Sequence, residues 1–178
     1  MKLRGGVEWA LHICTLLAAL PDDAVLHREQ LAEFYELPST YLAKQLQQLA
    51  RAGIVRPSYG AGGGYGLGRP ANQITVLDVV EAIDGDQASF TCTEIRRNGP
   101  TGVPEGAYSV PCTIAVVMGR ADAAWRSELR RHTVADLAAS LSHAVPPAQR
   151  RLAREWLRQN LRSRAPATPQ GQPRRPGS

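Results

Sequence analysis

The sequence predicts a mainly α-helical fold with a small β wing, that is, a winged helix-turn-helix plus a long dimerisation helix. Three observations carry this. Two short helical patterns flank a tight turn at Glu36-Leu37-Pro38, and a glycine-dense stretch follows between two short strand-like runs. Further on, Ile114, Met118, Ala121, Trp125 and Leu129 repeat in steps of three and four, the narrow seam of a helix that packs on another helix.

In chain order, Val7, Leu11, Cys14 and Ala18 share one helical face, widened by Ala10 and Leu17, and Pro21-Asp22-Asp23 ends that helix. A short helix around Arg28 to Tyr35 buries Leu31 and Tyr35. Ser39 or Thr40 is expected to cap a third helix that runs to Ala52, with Leu42, Leu46 and Leu49 inward and Gly53 as its stop. Ile54-Val55, Gly60 to Gly64 and Tyr65-Gly66-Leu67 then read as strand, turn and strand. Thr75 is expected to cap a helix that buries Val79, Val80 and Ile83 and stops at Gly85.

Residues 86–111 show no sustained period and hold three glycines and three prolines, so they read as a long functional loop. A helix starts at Cys112, Thr133 with Asp136 caps another, and a basic helix runs from Pro147 to about Arg162. The expected organisation is a DNA-binding domain at 1–85, a loop at 86–111, a dimerisation helix with a short following helix at 112–142 and a basic helix at 143–163. Residues 164–178, rich in Pro, Gln, Gly and Arg, are expected to be disordered.

The chain has 178 residues and a formal charge of +5, and its basic residues are almost all arginine, with lysine only at Lys2 and Lys44. Such a balance favours a polyanionic partner without proving one. No apolar run is long enough to span a bilayer, and Glu8 and His12 interrupt the first segment, so a cytoplasmic protein is expected. Cys14, Cys92 and Cys112 lack the spacing of a secreted disulfide framework, which leaves metal or redox chemistry as their expected use. No nucleophile-base set or carboxylate pair stands out, and the glycine stretch lacks the Lys-Ser/Thr of a nucleotide loop, so an enzyme is not expected.

Duplex DNA is the expected partner of the third helix and the wing. Ser39, Thr40, Tyr41, Lys44, Gln45 and Gln48 are read as the outward face of that helix, able to reach phosphates or base edges in a major groove. In the wing, Tyr59, Gly60, Gly62 and Gly63 allow close backbone approach to a phosphate chain, and Arg56 and Arg69 stand at its base.

Tyr41-Leu42 through Leu49, Ala52-Gly53-Ile54-Val55, Gly60-Ala61-Gly62-Gly63-Gly64-Tyr65, Leu67-Gly68 and Val79-Val80-Glu81-Ala82-Ile83 resemble the Rrf-type transcription regulators, the family of IscR and NsrR. The resemblance covers about residues 1–142 and implies a homodimer on palindromic DNA. Two departures bear on the operator. Tyr59 stands where IscR-like members carry a basic residue, and Ala43 where they carry an acidic one.

Cluster-binding members hold an iron-sulfur cluster with three loop cysteines. This loop has two, Cys92 and Cys112, with Asn98 where another would fall. In NsrR-like relatives the partner's first helix supplies a ligand at the position of Glu8, and His12 lies one turn further on the same face. The resemblance therefore implies a set of Cys92, Cys112, Glu8 and His12 across the dimer interface. Four ligands suit a [2Fe-2S] cluster, two per iron. Cys14 lies about 200° from His12 on the helix and points into the core, whereas Trp9, about 60° away, would shield the cluster or pack at an interface. Non-thiolate ligation favours one-electron redox sensing, or lability towards nitric oxide or oxygen. Zinc in the same site, or a metal-free thiol switch in a regulator or interaction module, stays open beside it.

Overall fold

The computed structural model describes residues 5–163 except 61, 101, 103–105 and 107–108. Among the described residues lie seven α-helices, two short 3-10 helices and two small antiparallel pairings. In chain order they are α1 (Gly5–Ala18), β1 (Ala24–Val25), α2 (Arg28–Phe34), α3 (Ser39–Arg51), β2 (Val55–Ser58), β3 (Gly64–Leu67), α4 (Val76–Asp84), α5 (Thr113–Arg131), α6 (Val134–Ala144), α7 (Pro147–Asn160) and β4 (Arg162–Ser163). The expected tail at 164–178 lies outside the described residues.

The core forms where α1, α2, α3 and α4 turn their apolar stripes on one another. Val7, Ile13 and Cys14 from α1 meet Leu31 of α2, Leu42, Leu46 and Leu49 of α3, and Val79, Val80 and Ile83 of α4, all buried. Each buried aliphatic side chain contributes about 1.5–3 kcal/mol. Leu11 and Ala18 are only half-buried, because the deepest face of α1 runs through Ile13 and Leu17 instead.

The ends of α4 and α6 are fixed together. Thr75 accepts a hydrogen bond from the Asp78 amide at 3.0 Å, and the Asp78 carboxylate accepts from the Thr75 amide at 2.9 Å. Thr133 and Asp136 repeat this capping box for α6. The two caps lie side by side, with Val76 N–H donating to the His132 carbonyl and Val134 N–H to the Ile74 carbonyl, both at 2.8 Å. Val134 enters the core through this pairing, and α6 packs along α1.

The start of α3 corrects one expectation. Pro38 occupies the cap position, and Ser39 and Thr40 already belong to the first turn, so neither side chain caps the helix. Its end follows expectation, with Gly53 at φ +67°, a conformation that favours glycine. In the wing, β2 and β3 pair in register from Val55 opposite Leu67 to Ser58 opposite Gly64. Gly64 admits no side chain, since a Cβ there would lie 2.7 Å from the Leu26 carbonyl oxygen. That close approach lets Leu26 and Tyr65 exchange hydrogen bonds of 3.1 and 2.8 Å, joining β1 to the wing.

The basic helix ends at Asn160, earlier than expected, and the chain then pairs with β1, Arg162 opposite Val25. Two-residue strands carry no periodic signal. No described helix is long and apolar enough to cross a membrane.

Candidate functional site

On α3 the exposed residues are Thr40, Tyr41, Lys44, Gln47 and Arg51, while Ser39 and Gln48 are half-buried. Gln45 is a correction to the outward face. It is 3% exposed, with its carboxamide against Gly6 of α1, where an added Cβ would stand 2.9 Å from Nε2. Gln48 leans inward as well, donating from Nε2 to the Ile83 carbonyl at 3.2 Å and so tying α3 to the end of α4. Gln47 and Arg51 replace them on the free stripe with Thr40 and Lys44, at successive helical spacings. Tyr41 is exposed and meets the Trp9 ring edge-on at 4.9 Å.

At the wing tip Tyr59 is 84% exposed and Gly60 has φ +99°. Gly62 is half-buried, and Gly63 is buried so closely that a Cβ would fall 2.4 Å from the Ser58 carbonyl oxygen. Arg56 is exposed on β2. Arg69 is ion-paired at 3.0 Å with Asp78, the carboxylate that also serves the Thr75 cap. It therefore anchors the wing to α4.

These placements give an expected result. Lys44→Ala weakens binding to matched and scrambled duplexes alike and lowers the salt dependence by about one phosphate contact per subunit. Gln47→Ala relaxes base preference, since an exposed amide can read adenine bidentately. Gln45→Ala leaves base preference unchanged and shows in thermal unfolding instead. Salt-dependent binding isotherms on both duplexes check all three.

The cysteine loop is closed by Arg96. Its guanidinium holds Glu94 at 2.6 Å and donates to the Val110 carbonyl at 3.0 Å, joining the two arms of the loop. Cys92 sits on the same loop with its thiol 3.8 Å from the Glu94 carboxylate, and its side chain acts on the Cys112 thiol. Cys112 is the cap residue of α5, where the backbone amides of Ala115 and Ile114, then Cys92 and the charge of Arg96, hold its thiol below the usual range. Cys14 is the opposite case, fully buried in the core, where desolvation pushes its thiol up to about 12.

Glu8 and His12 are exposed on α1 and line one groove with Leu137, Ser140 and Leu141 of α6. The His12 ring rests 5.5 Å from that of Tyr35, and the Tyr35 hydroxyl donates to the His12 carbonyl at 3.0 Å. Burial pushes the Tyr35 phenol up to about 12, so it stays a donor. The described residues of a single chain bring no three His, Cys, Asp or Glu side chains together. Within one chain the cysteine pair and the Glu8-His12 pair thus stand apart from each other.

A polar knot links the loop to α4 and α5. Asp122 of α5 accepts from the Ser89 hydroxyl at 2.7 Å and from Arg126 at 3.1 Å. Arg126 also donates to Glu81 of α4 and to the Asp86 carbonyl. Sequence reasoning missed this knot, because its members are scattered across 45 residues.

Fold and surface define a winged helix-turn-helix regulator. The model of the Rrf2 family, described as an iron-dependent transcriptional regulator, matches residues 3–140. The chain belongs to the Rrf2 family of DNA-binding transcriptional regulators. It is 33% identical over 139 residues to the HTH-type transcriptional regulator Rv1287 of Mycobacterium tuberculosis, covering 78% of this chain and 81% of that one. Among solved structures, CymR of B. subtilis, its global cysteine regulator, superposes with a TM-score of 0.63 at 23% identity, covering 79% of this chain and 98% of that one. IscR of T. potens superposes with a TM-score of 0.61 at 20% identity, covering 82% and 92%. At those identities the two structures show the fold. The relatives are transcriptional regulators.

Proposed function

We propose that this chain acts as a homodimer on palindromic duplex DNA and holds a [2Fe-2S] cluster between Cys92 and Cys112 of one subunit and Glu8 and His12 of the other. One observation carries this reading: the two half-sites are each paired and accessible, yet separate within one chain. A second copy would bring them together. The N-terminal half of α5, which begins beside Cys112, leaves Ile114 63% and Val117 58% exposed next to Met118, an apolar face that a second copy would cover. The other half of α5 is already used, since Trp125 and Leu129 pack on the core of their own chain.

The donor set fits the group. Cys112 is held toward the thiolate that a metal requires, Cys92 is beside it, and the Tyr35 ring positions the imidazole of His12. When bound, the cluster supplies a one-electron couple at this interface. The chain's own part is mechanical. Arg96 sets the spacing of the thiols, and the Ser89-Asp122-Arg126-Glu81 knot passes a shift of the loop to α4, whose Ile83 carbonyl holds Gln48 of the recognition helix.

The adjacency of Cys92 and Cys112 also favours a second reading, a thiol switch without metal. A peroxide would accept two electrons and two protons from the pair, forming one S–S bond and leaving as water. Iron and acid-labile sulfide measured on anaerobically purified protein, with its absorption spectrum, decide between the two. Two iron and two sulfide per chain with visible absorption are expected. Colourless protein with two rapidly oxidised thiols would overturn the cluster.

A further inference from the structure

The charge of this protein sits in an unexpected place. From residue 147 onward the chain holds eight arginines and one acid, Glu155, a net +7 against +5 for the whole. Residues 1–146, which include the helix-turn-helix and the wing, are therefore net −2. A DNA-binding core that is itself slightly acidic gains no long-range attraction to a polyanion from its net charge. The segment that supplies it lies beyond residue 140, where the family match ends.

That segment is docked on the helix-turn-helix. The Trp156 ring meets Phe34 edge-on at 4.9 Å, and its indole N–H donates to Glu33 at 3.5 Å. Gln30 in the first turn of α2 donates to the Asn160 backbone carbonyl at 2.8 Å, while its own side-chain oxygen accepts from the His27 amide at 2.8 Å. So α7 runs antiparallel to α2, and its C-terminal end is fixed at the start of α2. In a helix-turn-helix this first helix crosses the DNA backbone. Pairing of β4 with β1 secures the same end of α7 to the sheet.

On the exposed side of α7, Arg151, Arg154 and Arg158 follow at steps of three and four and form one stripe. Among the described residues only Arg158 of this stripe has an acidic partner, Glu155, and both are exposed. An exposed pair of that kind contributes little and yields readily to a phosphate.

We propose that α7 is a sequence-independent phosphate-binding flank of the DNA-reading surface, with Arg151, Arg154 and Arg158 contacting the duplex backbone outside the bases read by α3. It rests on the DNA binding that the family membership establishes, and adds a contact that this chain's C-terminal extension supplies. The docking of Trp156 and Asn160 orders the stripe before DNA arrives, so less entropy is lost on binding than from an untethered arginine tail.

The test uses the full-length protein and a scrambled duplex of about 30 base pairs, three turns. Binding is followed by fluorescence anisotropy between about 50 and 200 mM salt. The triple variant Arg151→Gln/Arg154→Gln/Arg158→Gln changes only exposed side chains and retains the fold by circular dichroism. It is expected to lower affinity at least roughly tenfold and to reduce the slope of log K against log salt by about 2–5 per dimer. Trp156→Ala keeps every arginine but removes the Phe34 and Glu33 contacts, loosening the docking of α7 on α2, and is expected to lower affinity as well. An unchanged slope in the triple variant, with Lys44→Ala still reducing it, overturns the flank while leaving DNA reading by α3 intact. Loss in neither variant would refute the α3 surface too. Loss in the triple variant but none in Trp156→Ala would show charges acting without docking, and would equally overturn the proposal.

Discussion

Mixing chains that carry His12→Ala with chains that carry Cys92→Ala is expected to restore a cluster that neither variant forms alone. In a homodimer of either variant both sites lack the same ligand. In the mixed dimer, the intact loop of the His12→Ala chain faces the intact first helix of the Cys92→Ala chain, so one of two sites is complete. Half the parent absorption per dimer should return. The expectation rests on the separation of the two proposed ligand pairs, since Glu8 and His12 share a groove with α6 while Cys112 caps α5 and Cys92 acts on its thiol from the loop. Cys14→Ala is the control. Its thiol is buried and stays protonated at neutral pH, so its loss costs packing, of order 1 kcal/mol, and no iron. Alkylation separates the thiols further. In metal-free protein the lowered Cys112 thiol ionises before an ordinary one as pH rises and reacts with iodoacetamide, whereas Cys14 stays inert until about pH 12. No recovery in mixed dimers that demonstrably form would sink ligation across the interface.

The parts legible in the sequence are those set by local spacing. The capping boxes at Thr75 and Thr133 each lie within four residues, and Gly53 and Gly85 stop their helices at φ +67° and +89°. The buried stripe of α3 is legible too, but the expectation that Gln45 faces outward fails. Position 45 lies within the stripe of Leu42, Leu46 and Leu49, and the wheel alone places it inside with Gln47 and Arg51 outside. Its polar amide argues for the surface and its position for the interior, and the missing side chain at Gly6, which makes room for the amide, is what admits it there. The rest depends on pairs far apart in the chain. Phe34 meets Trp156, Gln30 meets Asn160, and Arg96 reaches Val110 through a loop without periodicity. No local pattern encodes such contacts.

Replacing Arg126 by alanine should cost more than any other single polar change on α5. The guanidinium is 19% exposed and serves Glu81, Asp122 and the Asp86 carbonyl at once. Its loss leaves two carboxylates facing each other and a carbonyl unpaired, with an expected cost of about 2 kcal/mol in denaturant unfolding. Lysine carries the charge but lacks the planar fork, so Arg126→Lys should fall between. Acid changes the comparison in a definite direction. The Ser89 hydroxyl and amide, then Arg126, hold the Asp122 carboxyl below its usual range. That stabilisation is complete above the ordinary aspartate pKa and fades as pH falls through the lowered one, so the gap between parent and Arg126→Ala should narrow in acid. A second readout follows from the position of Ser89, three residues before Cys92. With Arg126 gone, the loop loses its tie to α4, and the difference in DNA affinity between the two states of the cysteine site should shrink even where the thiols still bind or oxidise normally. If Arg126→Ala unfolds within about 0.5 kcal/mol of the parent and keeps the full affinity difference, the knot transmits nothing.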